Sequence, residues 1–328
     1  MAQVKEAARN LRSLRDGGIV ERRGCNRPAV KRRTQKALEG TGRFLTALLH
    51  DLNGTILSAE EWRDNVRLLF NLEPLDLPQH CDGCGARFTV DHALSCKTGG
   101  LVHVRHEDVA GEWRWLASCA FTPSHVEREP SIESSAGRTA REAAEADQGP
   151  NPATNRAPNP PPNPPPQPAT QAGTTTPVPD EKRGDAGVFG FWTRGRQAIF
   201  DVRVTDTDAR SYRHQAPAKV LAAQEREKKG KYFARCLELR KDFTPLVYSV
   251  DGMAGREAQA AEKAMAKELS RKWGRPYPQM CNYVRLRMRI ALARNNTLLL
   301  RSSRDRGPTR PFIESGTALY ERQSWGER

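Results

Sequence analysis

"AGVFGFWTRGRQAIFDVRVTD" (residues 186–206) is the stretch on which the fold turns. Ala198, Phe200, Val202 and Val204 alternate with Ile199, Asp201 and Arg203, and a period of two belongs to a strand. The apolar residues before it form a partner strand, and Thr193–Arg196 supplies the turn of a hairpin. Downstream, residues 217–243 read as a helix broken or loosened at Gly230. "TPLVYSV" (244–250) reads as a short buried strand, and 255–273 and 276–299 as two amphipathic helices. The order strand, strand, helix, strand, helix, helix predicts an α/β (α+β) core, a small mixed sheet flanked by helices. The basic stretch 276–304 suits a support helix better than a surface lying on DNA or on a partner.

One residue breaks the apolar pattern of the hairpin. Asp201 sits inside "AIFDVRV", and a buried carboxylate needs a cation or a hydrogen-bonding partner. Asp185 stands just before the first strand, where a hairpin can bring the two acids together. Such a pair can hold Mg²⁺ and activate water for in-line attack on a phosphodiester. The alternative is that Asp201 caps a strand end or pairs with Arg203.

A second centre of chemistry lies upstream, in "CDGCGARFTVDHALSCKTGGLVHVRH" (81–106). Cys81, Cys84, His92 and Cys96 give the spacing C-x2-C-x7-H-x3-C. Two thiolates two residues apart grip one side of a tetrahedral metal, and a His and a Cys about one helical turn apart close the other. Gly83 and Gly85 suit the tight turn between the first two ligands. With four protein ligands the zinc site is structural, with no open position for water. His103 is a rival ligand, although the alternation of "LVHVRH" predicts a strand there. Cys25, Cys119, Cys236 and Cys281 are isolated and read as structural or incidental.

Around these centres the chain divides by composition. Residues 1–40 form a basic tail, and 41–78 a helical segment in which Ser58 and Glu61 make a capping box for a helix ending before Pro74. Residues 79–133 hold the knuckle and the Arg105-His106 pair, with helical character over 107–128 around Trp113, Trp115 and Leu116. Residues 134–182 are rich in proline and poor in apolar bulk, the signature of a disordered linker; a polyproline ligand for an aromatic groove is the alternative. The α/β core spans 183–304, and 305–328 is a tail.

The 328 residues carry 53 Lys and Arg against 39 Asp and Glu, a formal net charge of +14. This balance favours a polyanionic partner, nucleic acid first and an anionic membrane second; the partner expected is DNA, with RNA beside it, and no membrane. Only 37% of the residues are hydrophobic, and the mean hydropathy is −0.72, so no single core spans the whole chain. No apolar run approaches the roughly 20 residues of a membrane span, and the N-terminal stretch has no apolar signal region. The expectation is a chain that is not secreted, nuclear or cytoplasmic, whose cysteines are thiols or metal ligands. No small-molecule cofactor is expected.

Taken in order, these motifs resemble the C-terminal region of non-LTR retrotransposons that carry a restriction-like endonuclease. That region has a CCHC knuckle, an Arg-His motif, an acidic residue, a Pro-Asp pair, a strand-borne acid and a K-x-x-K-Y motif. The corresponding residues here are the knuckle, Arg105-His106, Glu129, Gly184-Asp185, Asp201, and Lys228, Lys231 and Tyr232. The order holds from about residue 41 to 250. The resemblance implies a fold of the PD-(D/E)XK type and Mg²⁺-dependent DNA nicking. Asp185 and Asp201 would hold the metal, with Glu129 as a third ligand or water orienter. Lys228 or Arg203 would stabilise the transition state, and Tyr232 would position the lysine. Arg105, His106, Lys219 and Lys231 would contact the nucleic acid, Lys219 being the other lysine that could complete the site. Three positions depart from the pattern. Gly184 replaces the proline, Arg203 stands where a lysine is usual, and the long linker separates Glu129 from Asp185. Arginine stays protonated and cannot act as a base. The chain holds no recognisable polymerase motif, so it reads as such a region separated from its polymerase. The alternative function is a catalytically dead zinc-knuckle module for nucleic-acid binding or protein interaction.

Overall fold

The structure is a computed structural model that describes residues 41–46, 50, 53–70, 72–132 and 183–305. The two tails and the proline-rich segment expected from the sequence lie outside the described residues. The fold is a four-stranded mixed sheet with flanking helices. Strand β1 (Val126–Arg128) pairs antiparallel with β2 (Ala186–Phe189), which pairs antiparallel with β3 (Gln197–Thr205). Strand β4 (Asp242–Ser249) runs parallel to β3. The hairpin and the buried strand read from the sequence are therefore present. The three-residue β1 was too short to show a period.

Strand β3 is apolar in both phases because both faces of the sheet are covered. Ala198, Phe200 and Val202 join Ala186, Val188, Leu246 and Tyr248 in the main core. That core is closed by helices α3 (Leu101–Ala120), α5 (Arg256–Trp273) and α6 (Tyr277–Arg301). On the opposite face Ile199 and Phe243 pack on Tyr232 and Cys236 of α4 (Pro217–Glu238). Helix α4 runs unbroken through Gly230, contrary to the expected break. A glycine there costs about 1 kcal/mol relative to alanine. The buried face formed by Val220, Leu221, Gln224, Tyr232 and Cys236 outweighs that cost.

Helix α1 (Ala59–Leu69) begins with the predicted capping box: Glu61 N donates to Ser58 Oγ, and Ser58 N donates to the Glu61 carboxylate. It packs on α6, where the Asn65 amide donates to Ala293 O and Asn296 donates to Asn65. Residues 101–106 are helical and not the expected strand. Gly99 and Gly100 both take φ 78°, and Gly100 caps α3 in the left-handed conformation. From there Leu101, Arg105, Val109, Trp113, Leu116 and Ala120 form one buried stripe at helical spacing. The six-residue alternation of "LVHVRH" was too short to outweigh it.

Helix α6 is internal and not a basic surface. Arg287 makes a two-point contact with Glu112 of α3 at 2.6 and 2.9 Å. Arg289 pairs with Glu262 of α5, and Arg301 with Asp64 of α1. The segments before and after the linker thus share one core. None of the described helices is long and apolar enough to cross a membrane.

Candidate functional site

The knuckle residues are gathered by short local elements. Cys81 N donates to Ala86 O, and Gly85, at φ 72°, donates back to Cys81 O, which closes the turn carrying Cys81 and Cys84. Thr89 caps the short helix α2 (Val90–Ser95) by accepting from His92 N. This places His92 in the first turn and Cys96 at the end, on one side of the helix. The four ligand atoms of Cys81, Cys84, His92 and Cys96 lie within 4.8 Å of one another. Cys84 Sγ is 3.4 Å from His92 Nε2 and 3.9 Å from Cys96 Sγ. A zinc tetrahedron with its usual bond lengths has edges of about 3.6 Å (S to N) and 3.8 Å (S to S), so the donor set fits a metal such as zinc. Burial acts to raise the Cys81 thiol, but hydrogen bonds from His92 and the backbone bring it down to about 6. His103, the rival ligand, is exposed on α3 and stacks on His106 instead. The six described cysteines are all free thiols.

The knuckle is fastened to the core by contacts the sequence did not suggest. Asp82 accepts from Ser303 Oγ at 2.5 Å and from Arg304 N at 2.8 Å. The Arg304 guanidinium donates to Ala93 O and Leu299 O and lies 5.2 Å from the Phe88 ring centre. A Cβ at Gly99 would sit 2.7 Å from Arg304 Cα, so glycine there allows the close approach.

The second site forms where β2, β3, α3 and α4 meet. Ala186 pairs with Phe200, so Asp185 lies across from Asp201. Asp185 N donates to Phe200 O, and Asp185 Oδ2 accepts from Val202 N at 2.5 Å. Asp185 Oδ1 is 2.9 Å from His106 Nε2. Arg114 of α3 donates to the Asp185 carbonyl. Asp201 is 5% exposed, and its Oδ2 lies 2.6 Å from Lys228 Nζ, as an ion pair without an aligned hydrogen bond. Burial, followed by the neighbouring Asp185 charge, raises the Asp201 carboxyl above its usual range against the pull of Lys228. The Asp185 hydrogen bond raises His106 above its ordinary value, against burial. Two carboxylates, the Lys228 ammonium and the His106 imidazole thus converge from the sheet and two helices.

The remaining residues divide. Tyr232 is buried under Lys228 and Lys231, whose ammonium groups lie 5.8 and 4.9 Å from its ring centre. Arg203 turns to Glu227 at 2.8 Å, so Lys228 and not Arg203 is the cation at Asp201. Lys219 and Lys231 are exposed on α4. Glu129, just past β1, contacts Arg128 and Arg183 at 3.7 and 3.6 Å and not the Asp185–Asp201 pair. Glu107, which follows the Arg-His pair, bridges Arg114 and Arg128 beside the site. The assignment of Arg105 to nucleic acid is corrected: it is 5% exposed, and its guanidinium donates to Leu94 O in the knuckle helix. His106 likewise faces Asp185, where the Arg-His motif had suggested a contact with the DNA backbone.

Compared with known proteins, the chain matches no family model and no curated protein sequence.

Proposed function

We propose that this chain is a nucleic-acid-binding protein with a restriction-endonuclease-like core of retrotransposon origin, which nicks DNA in the presence of Mg²⁺. The observation that carries this reading is the meeting of Asp185, Asp201 and Lys228, residues 16 and 27 positions apart, at one point of the sheet. Asp185 and Asp201 would hold Mg²⁺, which would lower the pKa of a bound water and polarise the phosphate. Lys228, whose ammonium lies 5.8 Å from the Tyr232 ring centre, supplies positive charge to the phosphoryl oxygens. Asp185 is fixed by Val202 N and His106, and so is pre-oriented. The Cys₃His cluster binds zinc as a structural ion. The net charge of +14 supports DNA, or RNA, as the partner and a nuclear location.

The test is a plasmid-nicking assay with Mg²⁺. The wild-type chain nicks, and Asp201→Ala does not; equal nicking by both refutes the assigned site. One observation favours the alternative, a catalytically inactive binding module. Both Asp185 oxygens and Asp201 Oδ2 already face His106, Val202 N or Lys228, so the acids are partnered within the fold. On that reading the protein binds DNA with a steep salt dependence and nicks nothing.

A further inference from the structure

The turn of the β2–β3 hairpin carries an arrangement that neither metal centre uses. It is rigidly built: Gly190 N donates to Arg196 O, Arg196 N donates to Thr193 O, and Gly190 and Gly195 take φ 75° and 81°. Two large aromatic side chains project there, Phe189 at 49% and Trp192 at 41% exposure. Trp192 is not loose. Its Nε1 donates to Thr244 Oγ1 at 2.8 Å, and its ring meets Phe191 edge to face, with centroids 4.9 Å apart. The indole is therefore pinned at its polar edge while much of its surface stays open to solvent.

The surroundings are basic. Arg194 is exposed at the tip of the turn, and Arg240 is exposed beside it, its carbonyl accepting from Arg196 Nε. Lys272 is exposed next to Phe121, which packs on Phe191. Of the acids nearby, Asp242 pairs with Arg196, and Glu127 accepts from Gln197 across from Phe189. Phe189 points to the opposite face of the sheet from the Phe200–Thr244 side that holds Trp192, and single exposed apolar residues are ordinary, but an indole pinned on a rigid turn among arginines matches what an unpaired nucleotide requires. Bases stack on aromatic faces, and guanidinium groups meet the phosphates. An uncharged or basic protein partner would be repelled or left unmatched by the same arginines.

We infer that the 189–196 turn is a stacking platform for a single-stranded stretch of nucleic acid, with Trp192 against a base and Arg194 and Arg240 on the flanking phosphates. The inference rests on the proposed nucleic-acid partner but not on nuclease activity. Asp185, just before β2, is four residues from Phe189 at the strand's end, about 13 Å at the usual rise per residue, or roughly four stacked nucleotides. The platform would thus hold unpaired nucleotides a few positions from the Asp185–Asp201 pair.

The test uses the full, zinc-loaded chain carrying Asp201→Asn, so that no strand is cut, and fluorescence anisotropy of labelled oligothymidine and of a duplex of equal length. Trp192→Ala is expected to weaken single-strand binding by about 5- to 150-fold and duplex binding by less than about twofold. Trp192→Phe keeps an aromatic face and should retain single-strand affinity within about threefold, with urea midpoints showing that both variants fold. Arg194→Ala should lower the slope of log affinity against log salt by about one. If Trp192→Ala binds oligothymidine as the wild type does, the platform is refuted while the nucleic-acid reading stands. If it instead loses only the binding of a polyglutamate peptide, the turn serves an acidic protein and the inference is overturned. Failure of the parent chain to bind any oligonucleotide removes the nucleic-acid partner itself, and the platform with it.

Discussion

Replacing Lys228 by methionine tests whether the Asp185–Asp201 site is held by charge. The substitution keeps an unbranched side chain of similar length and removes the ammonium that lies 2.6 Å from Asp201 Oδ2 and 5.8 Å from the Tyr232 ring centre. Asp201, with a side chain 6% exposed, then faces Asp185 with no cation of its own. Leaving a buried charge unpaired costs about 3–5 kcal/mol. The carboxyl has an escape, because it can take up a proton. From an ordinary value of 3.8 that costs about 4 kcal/mol at pH 7 but only about 1.6 kcal/mol at pH 5. The expected loss is therefore about 3 kcal/mol at pH 7, falling to about 1 kcal/mol at pH 5. Urea unfolding followed by circular dichroism and extrapolated to water measures both values. Lys228→Met/Asp201→Asn should recover most of the loss, since no charge is left to strand. Millimolar Mg²⁺ should stabilise Lys228→Met more than the wild type, because the metal no longer competes with the ammonium, with a gain of about 2.7 kcal/mol at a hundredfold excess over its dissociation constant. A loss that is equal at both pH values, and that Asp201→Asn does not repair, would show that Lys228 acts through packing and would refute the electrostatic account. A Mg²⁺ response no larger than that of the wild type would remove the support for a metal at the acid pair.

The hydrogen bond between His106 and Asp185 makes stability depend on pH. His106 is raised in the folded chain, so its contribution is fully present below its ordinary value of 6.5 and is lost as pH rises through the higher folded value. Wild-type stability should fall relative to His106→Gln as pH rises above 6.5, and parallel urea curves for the two would count against the contact. In the knuckle, Cys84→Ser should lower bound zinc well below one ion per chain by elemental analysis and depress the thermal midpoint. Full zinc occupancy in that variant would exclude Cys84 as a ligand. Gly184→Pro restores the residue usual in the family that the sequence resembles, yet it should destabilise the chain by about 3 kcal/mol or more. The proline would lose the bond from Gly184 N to Pro130 O, and a Cβ there sits 2.4 Å from Ile199 Cγ2. A variant within about 1 kcal/mol of wild type would show that the segment around Pro130 yields.

The sequence revealed what depends on local pattern. The capping box at Ser58 and Glu61, the hairpin strands and the two last helices are each specified within one continuous stretch of chain. So is the knuckle, whose four ligands lie within 16 positions. Asp201 was conspicuous because an acid in an apolar strand demands a partner. Its partner was ambiguous, since Arg203 shares its face of β3 and Lys228 lies on another element. Only the packing of α4 across the sheet brings Lys228 to Asp201 and leaves Arg203 to Glu227. Contacts of very long range were invisible for the same reason. The Glu112–Arg287 pair spans 175 positions, and Asp82 with Ser303 spans 221. The mistaken strand at 101–106 arose because six residues of alternation cannot outweigh a stripe of buried positions that continues to Ala120.

Arg105 and His106 show how one dipeptide on a helix can serve two sites. Neighbours on an α-helix point about 100° apart, so a consecutive pair cannot grip the same phosphate in the same way. Here Arg105 reaches Leu94 O in the knuckle helix, while His106 reaches Asp185 at the acid pair. Both are held by the first turns of α3, whose start is set by Gly99 and Gly100 immediately after the last knuckle ligand. The Cys₃His cluster and the carboxylate pair are therefore braced by the same two turns of backbone. Disturbing the knuckle would shift α3, and with it the one imidazole that orients Asp185. A motif that in sequence looked like two basic residues aimed at DNA acts in the fold as a bracket between a metal-binding knuckle and an acidic site. Among the described residues, the proposed polyanionic partner would then meet exposed basic groups elsewhere, such as Lys219 and Lys231 of α4 and Arg194 of the hairpin turn.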